Sequence, residues 1–119
     1  MADYDDDGDL DLLMTHLDRP PSLLRNDSAV GSWLIVVCED EQGGIIPIGT
    51  EVEVTAGGRT QWRDIASGDS YMSTHDPRPH FGLGGAETVD EVKVTWPDKT
   101  VSVRKDVPAR QILRIKKGT

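Results

Sequence analysis

Glu51-Val52-Glu53-Val54-Thr55, closed two residues later by Gly57-Gly58, is the stretch whose reading decides the fold. Polar and apolar residues alternate with a period of two, which puts Val52 and Val54 on one face of an extended strand. Paired glycines after such a run read as a hairpin turn, because the favoured two-residue turns need positive φ at their centre. Arg59 to Ala66 then resumes in extended context, with Gln61, Trp62 and Ile65. The same alternation returns at Glu91-Val92-Lys93-Val94-Thr95-Trp96, which places Val92, Val94 and Trp96 on one face. Pro97-Asp98-Lys99 turns that strand into Thr100-Val101-Ser102-Val103-Arg104, and Pro108 precedes a last extended run, Gln111 to Ile115. Upstream, Trp33-Leu34-Ile35-Val36-Val37-Cys38-Glu39 is almost continuously apolar, as a strand buried on both faces would be.

No window shows helical apolar spacing, and 12 Gly and 7 Pro interrupt every candidate helix. Short strands with turn signals between them predict an all-β domain, a small antiparallel β-sandwich or barrel. At 119 residues the chain has room for one domain and an appendage. The appendage is the N-terminal part, where Leu10 to Thr15 and Ser22 to Asn26 flank the turn Asp18-Arg19-Pro20-Pro21 and read as a β-hairpin stub. The expected division is therefore 1–26 for the stub, 27–32 for a linker and 33–117 for the β domain.

The acidity is local. Six of the chain's 21 acidic residues fall within Asp3-Tyr4-Asp5-Asp6-Asp7-Gly8-Asp9-Leu10-Asp11, against 13 basic residues overall and a net charge of −8. Such a balance, without a basic stripe, argues against nucleic-acid binding. Carboxylates this dense repel one another unless a cation sits among them, and a hard oxygen-preferring ion, calcium before magnesium, fits best. Asp3, Asp5 and Asp7 would offer side-chain oxygens, Gly8 the sharp turn, Asp9 a backbone carbonyl and Asp11 a closing carboxylate. An EF-hand wants a bidentate Glu at the twelfth loop position, where this chain has Met14, and a helix afterwards. Both requirements fail. A solvated acidic tail is the bland alternative.

Two resemblances rest on longer motifs. DYDDDGDLDLLMT followed by SLLRND resembles the end of an FG-GAP/VCBS repeat, the calcium-loop blade of integrin-like β-propellers. VTAGGRTQ at 54–61, SGDSYMSTHDPRPHFGLGGAETVDEVKVTWPD at 67–98 and VPARQILRI at 107–115 resemble the ASPIC/UnbV domain that follows such repeats. Several positions depart from that family's pattern. Ser70 stands where glycine is usual, His75 where a small polar residue is common, and Pro79 where a β-branched residue is common. Lys99 occupies a turn position often held by glycine, and Arg110 one often held by asparagine. The resemblance implies a parent protein that is secreted or on the cell surface, with Ca2+ rigidifying the loop and the β domain as an accessory unit. Its partner would be an extracellular protein or glycan, in an adhesive or matrix role. No signal peptide opens the chain, which reads as a segment of a longer protein. No apolar run is long enough for a transmembrane helix.

Other candidate chemistry is sparse. His75, Asp76, Arg78 and His80 lie close together and could form a metal-dependent hydrolase site. However, His75 and His80 are five residues apart around two prolines and need not converge. The competing expectation is that Arg78 pairs with a carboxylate while Phe81 and Leu83 enter the core. Trp33, Trp62 and Trp96 are either core residues or an aromatic platform for carbohydrate. Cys38, the single cysteine, reads as a buried small hydrophobe. The sequence favours a non-catalytic calcium-binding module, then a carbohydrate-binding β domain, and last a hydrolase. The two stub strands, with unpaired edges and little core, are expected to dock on the β domain or to pair with another chain.

Overall fold

The computed structural model describes residues 2–6, 9–26, 31–44, 48–66 and 78–118. Among these, the chain forms nine strands and no helix: β1 (Leu12–Met14), β2 (Ser22–Leu24), β3 (Ser32–Glu39), β4 (Glu51–Ala56), β5 (Arg59–Asp64), β6 (His80–Gly84), β7 (Thr88–Thr95), β8 (Val101–Pro108) and β9 (Gln111–Lys116). They assemble as a β1-β2 hairpin, a three-stranded sheet β6-β3-β9 and a four-stranded sheet β5-β4-β7-β8. The two larger sheets form the sandwich that the alternating strands predict.

The β4-β5 turn takes the form its glycines permit. Gly57 and Gly58 have φ of 56° and 77°, the type I′ pattern, and Ala56 pairs with Arg59 across it. Alternation then sets the inner face of the sheet. Val52, Val54, Val92, Val94 and Trp96 are buried there, in one cluster with Leu34, Val36, Cys38, Phe81 and Ile115 of the other sheet. The Trp96 indole N–H is satisfied inside this core, donating to Ser102 Oγ at 2.9 Å. Left without an acceptor it would cost about 1–3 kcal/mol.

β3 is buried on both faces, since Ile35 and Val37 on its other side are as inaccessible as Leu34 and Val36. It holds the middle of its sheet, antiparallel to β6 and parallel to β9. Two features go beyond the sequence reading. His80 belongs to a strand, β6, where a loop was expected, and the β3-β9 pairing is parallel in an otherwise antiparallel fold. Phe81 is fully buried and Leu83 packs against the core, as expected. β3 begins at Ser32, the last residue of the expected linker and one residue before the expected start of the β domain.

Two of the positions marked as departures from the family pattern, Lys99 and Arg110, have a conformational reading; Ser70 and His75 lie outside the described residues. Lys99 (φ 71°) closes the β7-β8 turn, with its N–H donating to the Trp96 carbonyl at 2.8 Å. Arg110 (φ 58°) follows the end of β8, with its N–H donating to the Trp33 carbonyl at 2.7 Å. Both occupy the left-handed region, where Cβ crowds the carbonyl at a cost of roughly 1–2 kcal/mol. Part of that is recovered with glycine, less its entropy in the unfolded chain. Lys99→Gly and Arg110→Gly should each raise stability by about 0.5–1 kcal/mol, measured by urea denaturation. Loss of stability in both would remove the strain argument.

Cys38 is buried in β3, and burial pushes its thiol from 9.0 up to about 12. The folded state therefore holds the proton longer than the unfolded chain does. The associated stability is complete below pH 9 and declines as pH rises towards 12. A thiol-specific disulfide reagent at pH 8 should leave Cys38 unmodified in the native protein and titrate one thiol in denaturant. The alkaline fall in stability should be shallower in Cys38→Ala.

Candidate metal centre

The acidic loop is organised by Asp11. A bridge between Ala2 and Asp11 closes the loop, with Asp11 N–H donating to the Ala2 carbonyl at 2.7 Å. One oxygen of the buried Asp11 carboxylate accepts the Tyr4 N–H at 3.0 Å, and the other accepts the Asn26 N–H at 2.8 Å. A single side chain thus joins the loop, the start of β1 and the residues after β2. This is the turn-stabilising habit of aspartate, extended over 15 positions.

Within this frame the side chains of Asp3, Asp5 and Asp11 converge, each offering a carboxylate oxygen, all within 4.8 Å of one another. Asp3 and Asp11 are buried and Asp5 is exposed, so the cluster opens to solvent on one side. At such a separation two like charges repel by roughly 3 kcal/mol at an effective dielectric of 20, which a hard divalent cation would reverse. The donor set is all carboxylate oxygen, the chemistry that calcium requires, with water able to complete the shell. Asp9 is buried but is not one of the three clustered carboxylates. It lines a cleft of about 400 Å³ with Leu10, Asn26, Trp33, His80 and Gly82, among others. Asp7 lies outside the described residues.

Asp6, a spacer in the ligand pattern, has a different partner. It sits at φ 55° and takes Arg78 Nη1 on its carboxylate at 2.8 Å, while Arg78 Nη2 donates to the Asp3 backbone carbonyl at 2.9 Å. The expectation that Arg78 pairs with a carboxylate is met. What the sequence did not disclose is that the carboxylate lies 72 positions away and belongs to the acidic loop. This fork fastens the loop to the β domain just before β6. The hairpin strands themselves stay open: Leu12, Leu13, Met14, Leu23 and Leu24 are all exposed.

The other candidate residues do not form one site among the described residues. His80 lies on β6 at the cleft, whereas His75 and Asp76 lie outside the described residues. The three tryptophans share no surface. Trp96 is in the core, Trp33 is half-buried at the cleft, and Trp62, at 62% exposure, lies on the outer face of the four-stranded sheet. A platform built from several tryptophans is therefore reduced to Trp62.

Residues 42–119 match the family described as ASPIC and UnbV. This chain belongs to the ASPIC/UnbV family. It is also 35% identical over 102 residues to Cartilage acidic protein 1 of Mus musculus, an alignment covering 82% of this chain and 16% of the relative. The Homo sapiens protein of the same name matches at 35% identity with 82% and 15% coverage, and that of Xenopus tropicalis at 31% with 87% and 16%. The chain thus spans about one sixth of the length of these relatives. The ASPIC/UnbV match begins after β3, yet β3 is the central strand of the second sheet.

The Arg78 fork should be measurable as a coupling. A double-mutant cycle with Arg78→Met and Asp6→Asn should give an interaction of about 0.5–1 kcal/mol by chemical denaturation at low salt, weakening as salt rises. Strict additivity of the two substitutions would show that the contact contributes nothing to stability.

Proposed function

We propose that this chain is a calcium-stabilised, non-catalytic interaction module of a larger extracellular protein. In this reading, the last calcium loop of an FG-GAP/VCBS repeat is joined to an ASPIC/UnbV domain. The carrying observation is the convergence of the Asp3, Asp5 and Asp11 carboxylates on one all-oxygen site. Calcium supplies charge neutralisation there, a structural role. Asp3, Asp5 and Asp11 would hold it, with Asp7 and the Asp9 carbonyl as the sequence pattern suggests. Asp11 keeps the loop closed through Tyr4 and Asn26, and Arg78 carries the added rigidity into the β domain.

The extracellular setting draws support from the relatives' name, Cartilage acidic protein 1, and from the aspartate loop itself. No helix among the described residues is long and apolar enough to cross a membrane. The exposed apolar side chains of β1 and β2 suit a hairpin completed by further strands of a propeller blade in the parent protein. The non-catalytic reading draws support from the family description and the relatives' name, neither of which denotes an enzyme; His16 Nε2 does meet Ser22 Oγ at 3.1 Å, across the β1-β2 hairpin. A glycan-binding alternative rests on Trp62 alone.

Calcium should raise the melting temperature relative to chelator, approaching about 2.7 kcal/mol of added stability at one hundred times the dissociation constant. Asp5→Asn, at an exposed ligand position, should weaken that response and, by relieving carboxylate repulsion, raise the calcium-free melting temperature. Identical melting in calcium and in chelator would falsify the structural role of the ion.

A further inference from the structure

β5 is an outer strand of the four-stranded sheet, and the turn before it determines which backbone groups face outward. Residues flanking a two-residue hairpin turn exchange both backbone bonds, so Ala56 and Arg59 are a hydrogen-bonded pair. Alternation makes Val54–Gln61 and Val52–Arg63 hydrogen-bonded pairs as well. The N–H and C=O groups of Thr60, Trp62 and Asp64 therefore point away from β4. One of these carbonyls is occupied from within the strand: Arg63 Nη1 donates to the Trp62 oxygen at 2.9 Å.

The opposite edge of the sheet carries the usual safeguards against strand addition. On β8, Asp106 has φ 53°, which breaks the extended run, and Lys105 places a charge beside the break. β5 has neither a proline nor a positive-φ residue from Arg59 to Asp64. Its side chains divide by face. Thr60, Trp62 and Asp64 are exposed on the outer face. Arg59, Gln61 and Arg63 lie on the other, where the Arg63 guanidinium stands 5.5 Å from the centroid of the Phe81 ring. Among the described residues neither Arg59 nor Arg63 forms an ion pair, and four positions on one face place them roughly 13 Å apart along the strand.

We infer that the β5 edge binds an extended acidic segment of a partner protein as a fifth strand, independently of the metal loop. The partner's backbone meets the outward groups of Thr60, Trp62 and Asp64 and takes over the Trp62 carbonyl from Arg63. Carboxylates on one face of the added strand meet Arg59 and Arg63, and an apolar side chain on the other covers Trp62. Charge selects this occupant over a second copy of the chain. The two-fold register that opposes Trp62 to Trp62 brings Arg59 of each copy near Arg63 of the other on the same face.

The test uses a capped nine-residue peptide alternating glutamate with valine, a lysine–valine peptide as control, and amide chemical shifts with tryptophan fluorescence as readouts. The glutamate peptide should bind saturably, shift the amides of Thr60, Trp62 and Asp64, and bind at least tenfold more weakly to Arg59→Glu. Thr60→Pro should abolish binding. It removes an outward N–H and the exposed Thr55–Thr60 hydroxyl contact at 3.0 Å but no β4-β5 backbone bond, so the strand pairing remains and the melting temperature should change little. If Thr60→Pro lowers melting, Asp64→Pro deletes the N–H at another outward position and decides the result. The proposal is overturned by no binding at millimolar peptide, by equal binding of both peptides, or by binding that survives the proline substitutions. A concentration-dependent dimer that the proline substitutions abolish also overturns it, assigning the edge to a second copy.

Discussion

The structure depends on the contact between the inner faces of its two larger sheets. Leu34, Val36, Phe81 and Ile115 on one side meet Val52, Val54, Val92, Val94 and Trp96 on the other. Neither sheet could stand alone. Three or four strands with one apolar face gain stability only by covering that face, and here each covers the other. Every feature of possible function is attached to the outside of this packed layer. The acidic loop is fastened through Arg78 at the entry to β6, and β5 runs along one margin of the four-stranded sheet.

Much of this was legible in the residues, for identifiable reasons. Where one face is buried and the other wet, alternation reports both strand and orientation, as in Val52/Val54 and Val92/Val94/Trp96. The tandem glycines announced a turn because few other residues adopt two successive positive φ values. β6 was harder to read. His80-Phe81-Gly82-Leu83-Gly84 contains two glycines and follows a proline-rich stretch, so local signals favour a loop. Its extended form comes from pairing with β3, a tertiary effect. The parallel β3-β9 pairing was equally hidden, because apolar pattern carries no information about strand direction.

The acidic loop was legible as a cluster of carboxylates and only partly in its architecture. The spacing suggested that Asp3, Asp5, Asp7, Asp9 and Asp11 share one site; among the described residues the carboxylates of Asp3, Asp5 and Asp11 converge, and that of Asp9 is not among them. Nothing in the spacing told that Asp11 would hold the Tyr4 and Asn26 amides, or that Asp6 would face away to meet Arg78. The available signal was Arg78, expected to pair with a carboxylate, beside an aspartate, Asp6, to which the loop pattern gave no role. The resulting joint is small and polar, a form of contact that yields more readily than an apolar one.

The parallel pairing of β3 with β9 has a mechanical consequence. β3 is the first strand of the sandwich in chain order and β9 the last, and six residue pairs join them side by side. Because they run in the same direction, the chain enters the sandwich at one end of this pair and leaves at the other. Tension between the two ends would slide β3 along β9 and load all their backbone hydrogen bonds together. An antiparallel pair pulled from neighbouring ends would instead open one bond at a time. The domain is thus wired in series with whatever lies on either side of it, in shear, with its most deeply buried strand bearing the load.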